Sequence, residues 1–258
     1  MESILFDKKD HICWLTLNRP EERNALSLDL MDKMQKKLNL LKKDEEIRVI
    51  IIRGNGPSFC SGHSMKELVG KKYDINHFRK IFTKCTKIMQ DLHKLPQPVI
   101  AQVHGIATAA GCQLVAACDL AIAEKNAKFS TPGVKIGLFC STPMVPLSRI
   151  IGRRRALNML LTGRFISAEE AERFGLLNKV VKKERLEEET KKWAQEIAQY
   201  SRFTLSFGKQ AFYNQIDLSE KTAYDFSKEA IAFNCLSEDA QEGMKAFLNK
   251  RKPNWKNR

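Results

Sequence analysis

Hydrophobic and polar positions change period several times along this chain, and each change marks an element. Residues 3–6 and 11–17 read as a strand pair around Lys8-Lys9-Asp10. In the second strand Ile12, Trp14 and Thr16 alternate with Cys13, Leu15 and Leu17. Both faces are largely apolar, as in a strand covered on both sides. Pro20 ends it, and Ser27 is placed to cap a helix over 28–43 that carries Leu30, Met34, Leu38 and Leu41 on one face. A strand at 49–53 (VIIIR) leads through GNGPSFCSGHSMKEL into a helix near Met65.

The spacing of Phe78, Phe82, Cys85, Met89 and Leu92 predicts a long helix over 75–95, with His77 and His93 on its surface. Pro96-Gln97-Pro98 stops it. A buried strand follows at 99–103, broken by His104-Gly105. A run of small residues, Ala107 to Gly111, then enters an apolar helix at 112–118, and a strand follows at 120–123. Further helices are predicted at 144–151 and 153–161. Ser167 with Glu170 forms a capping box, and Gly175 suits the position after that helix. A short strand at 177–181 precedes helices at 185–200, 205–216 and 218–248, the last interrupted around 234–237. Strands alternating with helices, then helices alone, predict an α/β core over 1–200 and a helical region over 201–258.

Two of these units carry chemistry. A helix start exposes N–H groups without intrahelical partners at its positive end. Small residues between strand and helix let a ligand reach those groups. The strand-loop-helix units with helices near Met65 and at Cys112 can each offer one N–H to one carbonyl oxygen. Two such donors stabilise an enolate or a tetrahedral oxyanion.

Composition narrows the setting. Hydrophobic residues make up 43% of 258, enough for a sizeable core. There is no apolar run of about 18 residues, so no membrane span is expected. The first residues have neither an apolar signal core nor an Arg/Ser-rich leader. The expected compartment is the cytoplasm, or the mitochondrial matrix if a leader has been removed. Seven cysteines (13, 60, 85, 112, 118, 140 and 235) form no C-x-x-C pair. They read as buried thiols, with Cys60 and Cys140 nearest the expected pocket. The formal net charge is +14, spread along the chain in pairs and triplets such as Lys71-Lys72 and Arg153-Arg154-Arg155. That charge would attract a phosphorylated ligand such as coenzyme A. Its dispersion makes nucleic acid the lesser reading.

The motifs together resemble the crotonase superfamily, the enoyl-CoA hydratases and isomerases. They are Leu17-Asn18-Arg19-Pro20 with Arg23-Asn24-Ala25-Leu26, Phe59-Cys60-Ser61-Gly62-His63, and Gly111-Cys112-Gln113-Leu114 with Cys118-Asp119. Leu161-Thr162-Gly163, Ser167 to Ala171 and Glu242 to Phe247 follow in the family's order. Within the family the chain looks most like enoyl-CoA-hydratase-domain-containing proteins that share its AAGCQLVA and GLFCSTP stretches. The resemblance implies a fold of repeated ββα units with a C-terminal trimerisation region. It also implies a trimer or a dimer of trimers, an acyl- or enoyl-CoA ligand in fatty-acid metabolism, and no metal or other cofactor. It assigns the oxyanion hole to the backbone N–H groups of His63 and Ala110. Ser61, Gly62, Ser64, Met65, Lys66 and Gly111 would line the thioester, and Arg23 with Ala25 would meet the CoA. Cys140 with Ser141 would line the acyl tail, and Phe247 with Lys250 would come from a neighbouring subunit. Asp119 matches a structural position at a helix-to-strand turn.

Two positions depart from the family's pattern. Gln113 and Gly133 stand where hydratases carry their two catalytic glutamates. Glutamine cannot take a proton at neutral pH, and glycine has no side chain. Hydration needs water deprotonated and Cα protonated, so ordinary hydratase activity is not expected. Three readings follow: an enzyme resting on the oxyanion hole, a non-catalytic acyl-CoA binder, and, third, an RNA-binding protein. Restoring both glutamates should raise hydration where the pocket is otherwise intact.

Overall fold

The computed structural model describes residues 2–69 and 74–258, so the Lys71-Lys72 pair lies outside the described residues. β1 (Ile4–Lys9) and β2 (Ile12–Leu17) form an antiparallel hairpin. The first strand runs three residues beyond the predicted end. Asp10 and His11 both adopt positive φ, 53° and 63°, so the turn has only two residues and pairing continues to Lys9↔Ile12. α1 (Leu28–Lys42) is capped by Ser27, whose Oγ accepts from Leu30 N at 3.2 Å. β3 (Val49–Gly54) lies parallel to β2. After the short α2 (Met65–Leu68) comes α3 (Ile75–Lys94), capped by Asp74. α3 buries Ile81, Cys85, Ile88, Met89 and Leu92. Its buried face is therefore turned slightly from the predicted one: Ile81 and Ile88 face the core, while Phe78 and Phe82 are only half-buried.

β4 (Val99–Val103) ends where Gly105, at φ 59°, turns the chain into β5 (Ile106–Thr108), the first strand of a second sheet. A Cβ at Gly105 would stand 2.2 Å from Pro57 O, so only glycine fits that crossing. α4 (Ala110–Ala117) starts two residues earlier than the sequence pattern suggested and is buried throughout. β6 (Leu120–Glu124), β7 (Lys128–Ser130) and a 3-10 turn at Pro132–Ile136 follow. α5 (Met144–Ile150), α6 (Arg153–Thr162), β8 (Ile166–Ser167) and α7 (Ala168–Phe174) come next, the last with the predicted Ser167–Glu170 capping box. β9 (Lys179–Val181), α8 (Leu186–Ala198), α9 (Arg202–Gln215), α10 (Glu220–Cys235) and α11 (Glu238–Leu248) complete the chain.

The large sheet has the order β1-β2-β3-β4-β6-β9 and is parallel except for the β1–β2 pair; the small sheet is β5-β7-β8. As expected, β2 is buried on both faces. Cys13, Leu15 and Leu17 join the main core with α1, α3 and α4, whereas Ile12 and Trp14 pack with Ile51, Ile100 and Ile122 under Leu186 and Ala194 of α8. Asp119 is structural, as expected: it accepts from Val99 N at 2.6 Å and Tyr213 Oη at 2.8 Å, and pairs with Lys209 Nζ at 2.7 Å. Lys209 also donates to Leu92 O and Gln97 O, both at 2.8 Å, so one buried ammonium ties α9 to α3 and β4. His93 is not the surface residue predicted: it is half-buried and stacks on Tyr213 with centroids 4.0 Å apart. His77 is half-buried too, with Nε2 2.8 Å from Glu67 O. Among the described residues no helix is long and apolar enough to cross a membrane.

Candidate functional site

The site is made where two loops cross. Cys60 bridges Ala107: its N–H donates to Ile106 O at 3.2 Å and its carbonyl accepts from Thr108 N at 3.0 Å. Three residues on, Leu26 N donates to Gly62 O at 2.7 Å and Ser64 N to Leu26 O at 3.4 Å. That pattern uses the groups on either side of His63 and leaves the His63 N–H without a partner among the described residues. Ala110 is the first residue of α4, so its N–H has no intrahelical acceptor, and it too bonds to nothing among the described residues. The two loops touch. A Cβ at Gly62 would lie 2.9 Å from Ala109 Cβ and 3.4 Å from Ala110 N, and one at Gly111 would lie 2.1 Å from Cys60 O. Glycine at 62 and 111 lets the loop that carries His63 pack against the start of α4.

Between them Ala109 is strained, at φ 49° and ψ −118°, a conformation that residues with a Cβ avoid. Its N–H is held by Ser130 O at 2.9 Å, and its carbonyl accepts from Gln113 N at 3.0 Å.

His63 and Ala110 both line a cavity of about 1030 Å³. Of the sequence-predicted residues, Arg23, Ala25, Ser61, His63, Ser64, Met65, Lys66, Ala110, Gly133, Cys140 and Ser141 line it. Gly62 and Gly111 support it without lining it. Phe247, 83% exposed, and Lys250 lie outside it in this single chain. Sequence reading missed Leu68, Phe82, Ile136, Leu138, Phe139 and Thr142, which also line it. Phe82 had been counted with the core face of its helix. The 136–142 stretch had no periodicity to mark it, and its GLFCSTP motif, which had pointed to Cys140 and Ser141, was the available signal for their neighbours.

The wall is held from behind. Asn24, fully buried, donates to Asn55 O at 2.9 Å and Ser58 O at 2.8 Å, fixing the turn that carries Arg23 and Ala25. The Arg23 carbonyl accepts from Ser61 N at 3.0 Å. Glu22 sits between Arg19, at 3.0 Å, and Lys66, at 3.4 Å. The Glu67 carboxylate accepts from Leu28 N at 2.9 Å, so α2 is anchored on the positive end of α1.

The two departing positions are both filled. Gln113 is 3% exposed, and its Oε1 accepts from Thr142 Oγ1 at 3.1 Å. At Gly133 a Cβ would stand 2.8 Å from Cys140 Sγ and 2.8 Å from Leu138 O. The Gly133 N–H donates to the Cys140 thiol, while burial pushes that thiol's pKa up. Cys60 is wholly buried and pushed up to about 12, so neither cysteine is set up as a thiolate nucleophile. Cys13, Cys85, Cys112 and Cys118 are buried as well, whereas Cys235 is exposed. The His63 ring packs edge-on against Phe82 at 5.1 Å, and burial lowers its pKa to about 4. It is a neutral imidazole at physiological pH.

Comparison with known proteins gives one consistent result. The family model described as Enoyl-CoA hydratase/isomerase matches residues 7–258. Human enoyl-CoA hydratase domain-containing protein 3, mitochondrial, is 46% identical over 246 residues, covering 95% of this chain and 81% of that protein. The short-chain-enoyl-CoA hydratase of Clostridium acetobutylicum is 33% identical, covering 98% of this chain and 97% of its own. The crystal structure of the human protein superposes with a TM-score of 0.96 at 44% identity, covering 98% and 100% of the two chains. That of an enoyl-CoA hydratase from Mycobacterium smegmatis gives a TM-score of 0.96 at 42% identity, covering 99% of each.

Proposed function

This chain belongs to the enoyl-CoA hydratase/isomerase family, and on that footing we propose that it binds an acyl- or enoyl-CoA thioester without hydrating it at an ordinary rate. The carrying observation is the pair of N–H groups at His63 and Ala110, each without a partner among the described residues, on two touching loops that line one cavity, with Gln113 and Gly133 in place of carboxylates. The thioester carbonyl accepts from both N–H groups and is polarised toward an enolate. Arg23 and Lys66 at the cavity wall meet the phosphates of CoA. Leu68, Phe82, Leu138 and Phe139 offer the acyl chain an apolar wall.

Hydration fails at the proton transfers. A positioned acid-base group contributes roughly 10²–10⁴-fold, and this site lacks both members of the usual pair. The Gln113 oxygen is already engaged by Thr142, and Cys140 occupies the room a side chain at 133 would use. The fold needs no cofactor for this role beyond the CoA of its ligand.

The helical region over 201–258 is read as the oligomerisation surface. α9 and α10 bury no residue within the chain, and Phe212, Ile231, Phe233 and Phe247 stand exposed. A trimer or a dimer of trimers covers them and brings Phe247 and Lys250 to a neighbour's CoA. The human relative's name carries a mitochondrial assignment, and the matrix is the compartment taken for this chain.

The test is crotonyl-CoA and longer 2-enoyl-CoAs incubated with the protein, following loss of the conjugated thioester absorbance beside a calorimetric titration. Saturable binding with turnover near background is expected. Turnover at the rate of an ordinary hydratase would refute the second half of the proposal, and no binding would refute the first.

A further inference from the structure

Residues 251–258 form a strap that runs back along α11, from the level of Glu242 to that of Glu238. Arg251 pairs with Glu242 through two nitrogens, at 2.6 and 2.8 Å, and Asn254 N donates to the same carboxylate at 2.8 Å. Arg258 Nε lies 3.0 Å from the Glu238 carboxylate. Between these ends the Trp255 ring covers Gly243, where a Cβ would stand 3.2 Å from it. Its indole N–H donates to the carbonyl of Gln199, the C-cap of α8, at 2.9 Å.

The strap closes on Asp239. Among the described residues from 201 to 258 only Ser201, Asp239 and Ala246 are buried. Two of the three meet, because Ser201 Oγ donates to Asp239 Oδ2. The same carboxylate accepts from the strap, from Lys256 N at 2.5 Å and Asn257 N at 2.8 Å. Arg258 O accepts from Asp239 N at 3.1 Å, and Asn257 Oδ1 accepts from Arg202 N at 3.0 Å. Ser201 is also the N-cap of α9, with Oγ accepting from Thr204 N at 3.1 Å. Gln199, Ser201 and Arg202, where the core passes into the helical region, are thus each tied to the strap or to the carboxylate it covers. Beyond this point α9 buries no residue, and Lys209 and Gln210 hold it to the core by polar bonds. A segment with so little buried apolar surface opens more readily than the core does.

We propose that the strap is a lock on a hinge at 199–202, with Asp239 as its keystone: it fixes the helical region against the core, and releasing it opens the hinge while the core stays folded. Phe247, on α11, and Lys250, between α11 and the strap, take their places relative to the core from this lock. The inference goes beyond the thioester reading and does not depend on it.

The experiment is hydrogen–deuterium exchange of the full chain, read by peptide mass spectrometry, on the wild type, Asp239→Asn, Ser201→Ala and Trp255→Phe. Asparagine keeps the size of Asp239 but offers one acceptor oxygen to three donors, so a buried N–H is stranded. Exchange at 199–205 and at 254–258 should quicken about tenfold, the scale of one stranded buried donor, while β3 and β4 exchange as in the wild type. The two milder variants test the link across the hinge. Ser201→Ala, at the start of α9, should quicken exchange in the strap, which mere loss of a helix cap would leave protected. Trp255→Phe, in the strap, should quicken exchange at 201–205, beyond its own contact at Gln199. Unchanged protection at 199–205 in Asp239→Asn would overturn the inference, as would equal quickening in β3 and β4. So would either milder variant whose effect stays on its own side of the hinge. Should Asp239→Asn not fold, the two milder variants decide the matter by the same cross-hinge response.

Discussion

Placing glutamate at both 113 and 133 tests the proposed reading of the site most severely, and the two positions should not respond alike. At Gln113 the change is nearly isosteric. The new carboxyl keeps an oxygen for Thr142 Oγ1, now 3.1 Å from Oε1, but it is buried, so its pKa should rise above the ordinary glutamate value. At Gly133 the difficulty is space. The first added atom would stand 2.8 Å from Cys140 Sγ and 2.8 Å from the backbone oxygen of Leu138. The thiol can rotate away, but the carbonyl moves only if the 137–140 turn moves with it. Overpacking of this kind costs about 1–3 kcal/mol. For a domain of this size that lowers Tm by roughly 2–4 °C per kcal/mol. Gln113→Glu/Gly133→Glu should therefore unfold several degrees below the wild type and gain less than tenfold in crotonyl-CoA hydration. Adding Cys140→Gly removes one of the two clashes and should recover part of the Tm and raise hydration further. The assay is thermal unfolding by circular dichroism beside the absorbance assay. A double variant that hydrates a hundredfold faster than wild type at unchanged Tm would refute the argument that Cys140 and Leu138 occupy the space.

Other outcomes follow from single observations. Ala109→Gly should stabilise the protein, because releasing strain of about 1–3 kcal/mol outweighs the 0.4–1 kcal/mol entropic cost of glycine; a lower Tm would contradict the strain assigned to φ 49°. His63 has its folded pKa pushed down to about 4 from an ordinary 6.5. Between those values the unfolded chain binds a proton that the folded chain refuses, so stability falls as pH drops from 6.5 toward 4, by up to roughly 3 kcal/mol. Denaturant titrations of wild type and His63→Ala over that window should differ in slope, and parallel curves would be inconsistent with a neutral buried ring. Lys209→Met strands Asp119 in its buried pocket and should cost about 3–5 kcal/mol, read as a shift in the urea midpoint at unchanged m-value. Maleimide should label Cys235 well before any other thiol, as followed by peptide mass spectrometry; early labelling of Cys60 would be at odds with its complete burial.

The sheet and the helices around it were largely legible because they are periodic. β2 announced two covered faces, Ser27 and Ser167 announced their caps, and two strand-loop-helix units marked the loops that meet at the cavity, while the assignment of His63 and Ala110 came from the family resemblance. What stayed hidden was set by contacts between segments distant in sequence. β5, β7 and β8 have three, three and two residues, too short to show an alternation, and exist because Gly105 lets the chain cross Pro57. His93 looked like a solvated residue until Tyr213, 120 positions later, covered it. Gly133 read simply as a missing glutamate, yet Cys140 stands where a side chain at 133 would go, a contact the sequence did not disclose. The same holds at Gln113, where Thr142 supplies a hydrogen bond. Positions 113 and 133 are both tied to the 138–142 turn, one through Thr142 and the other through Leu138 and Cys140. On the proposed reading, a variant with glutamate at both positions therefore needs a change in this turn as well to hydrate its ligand.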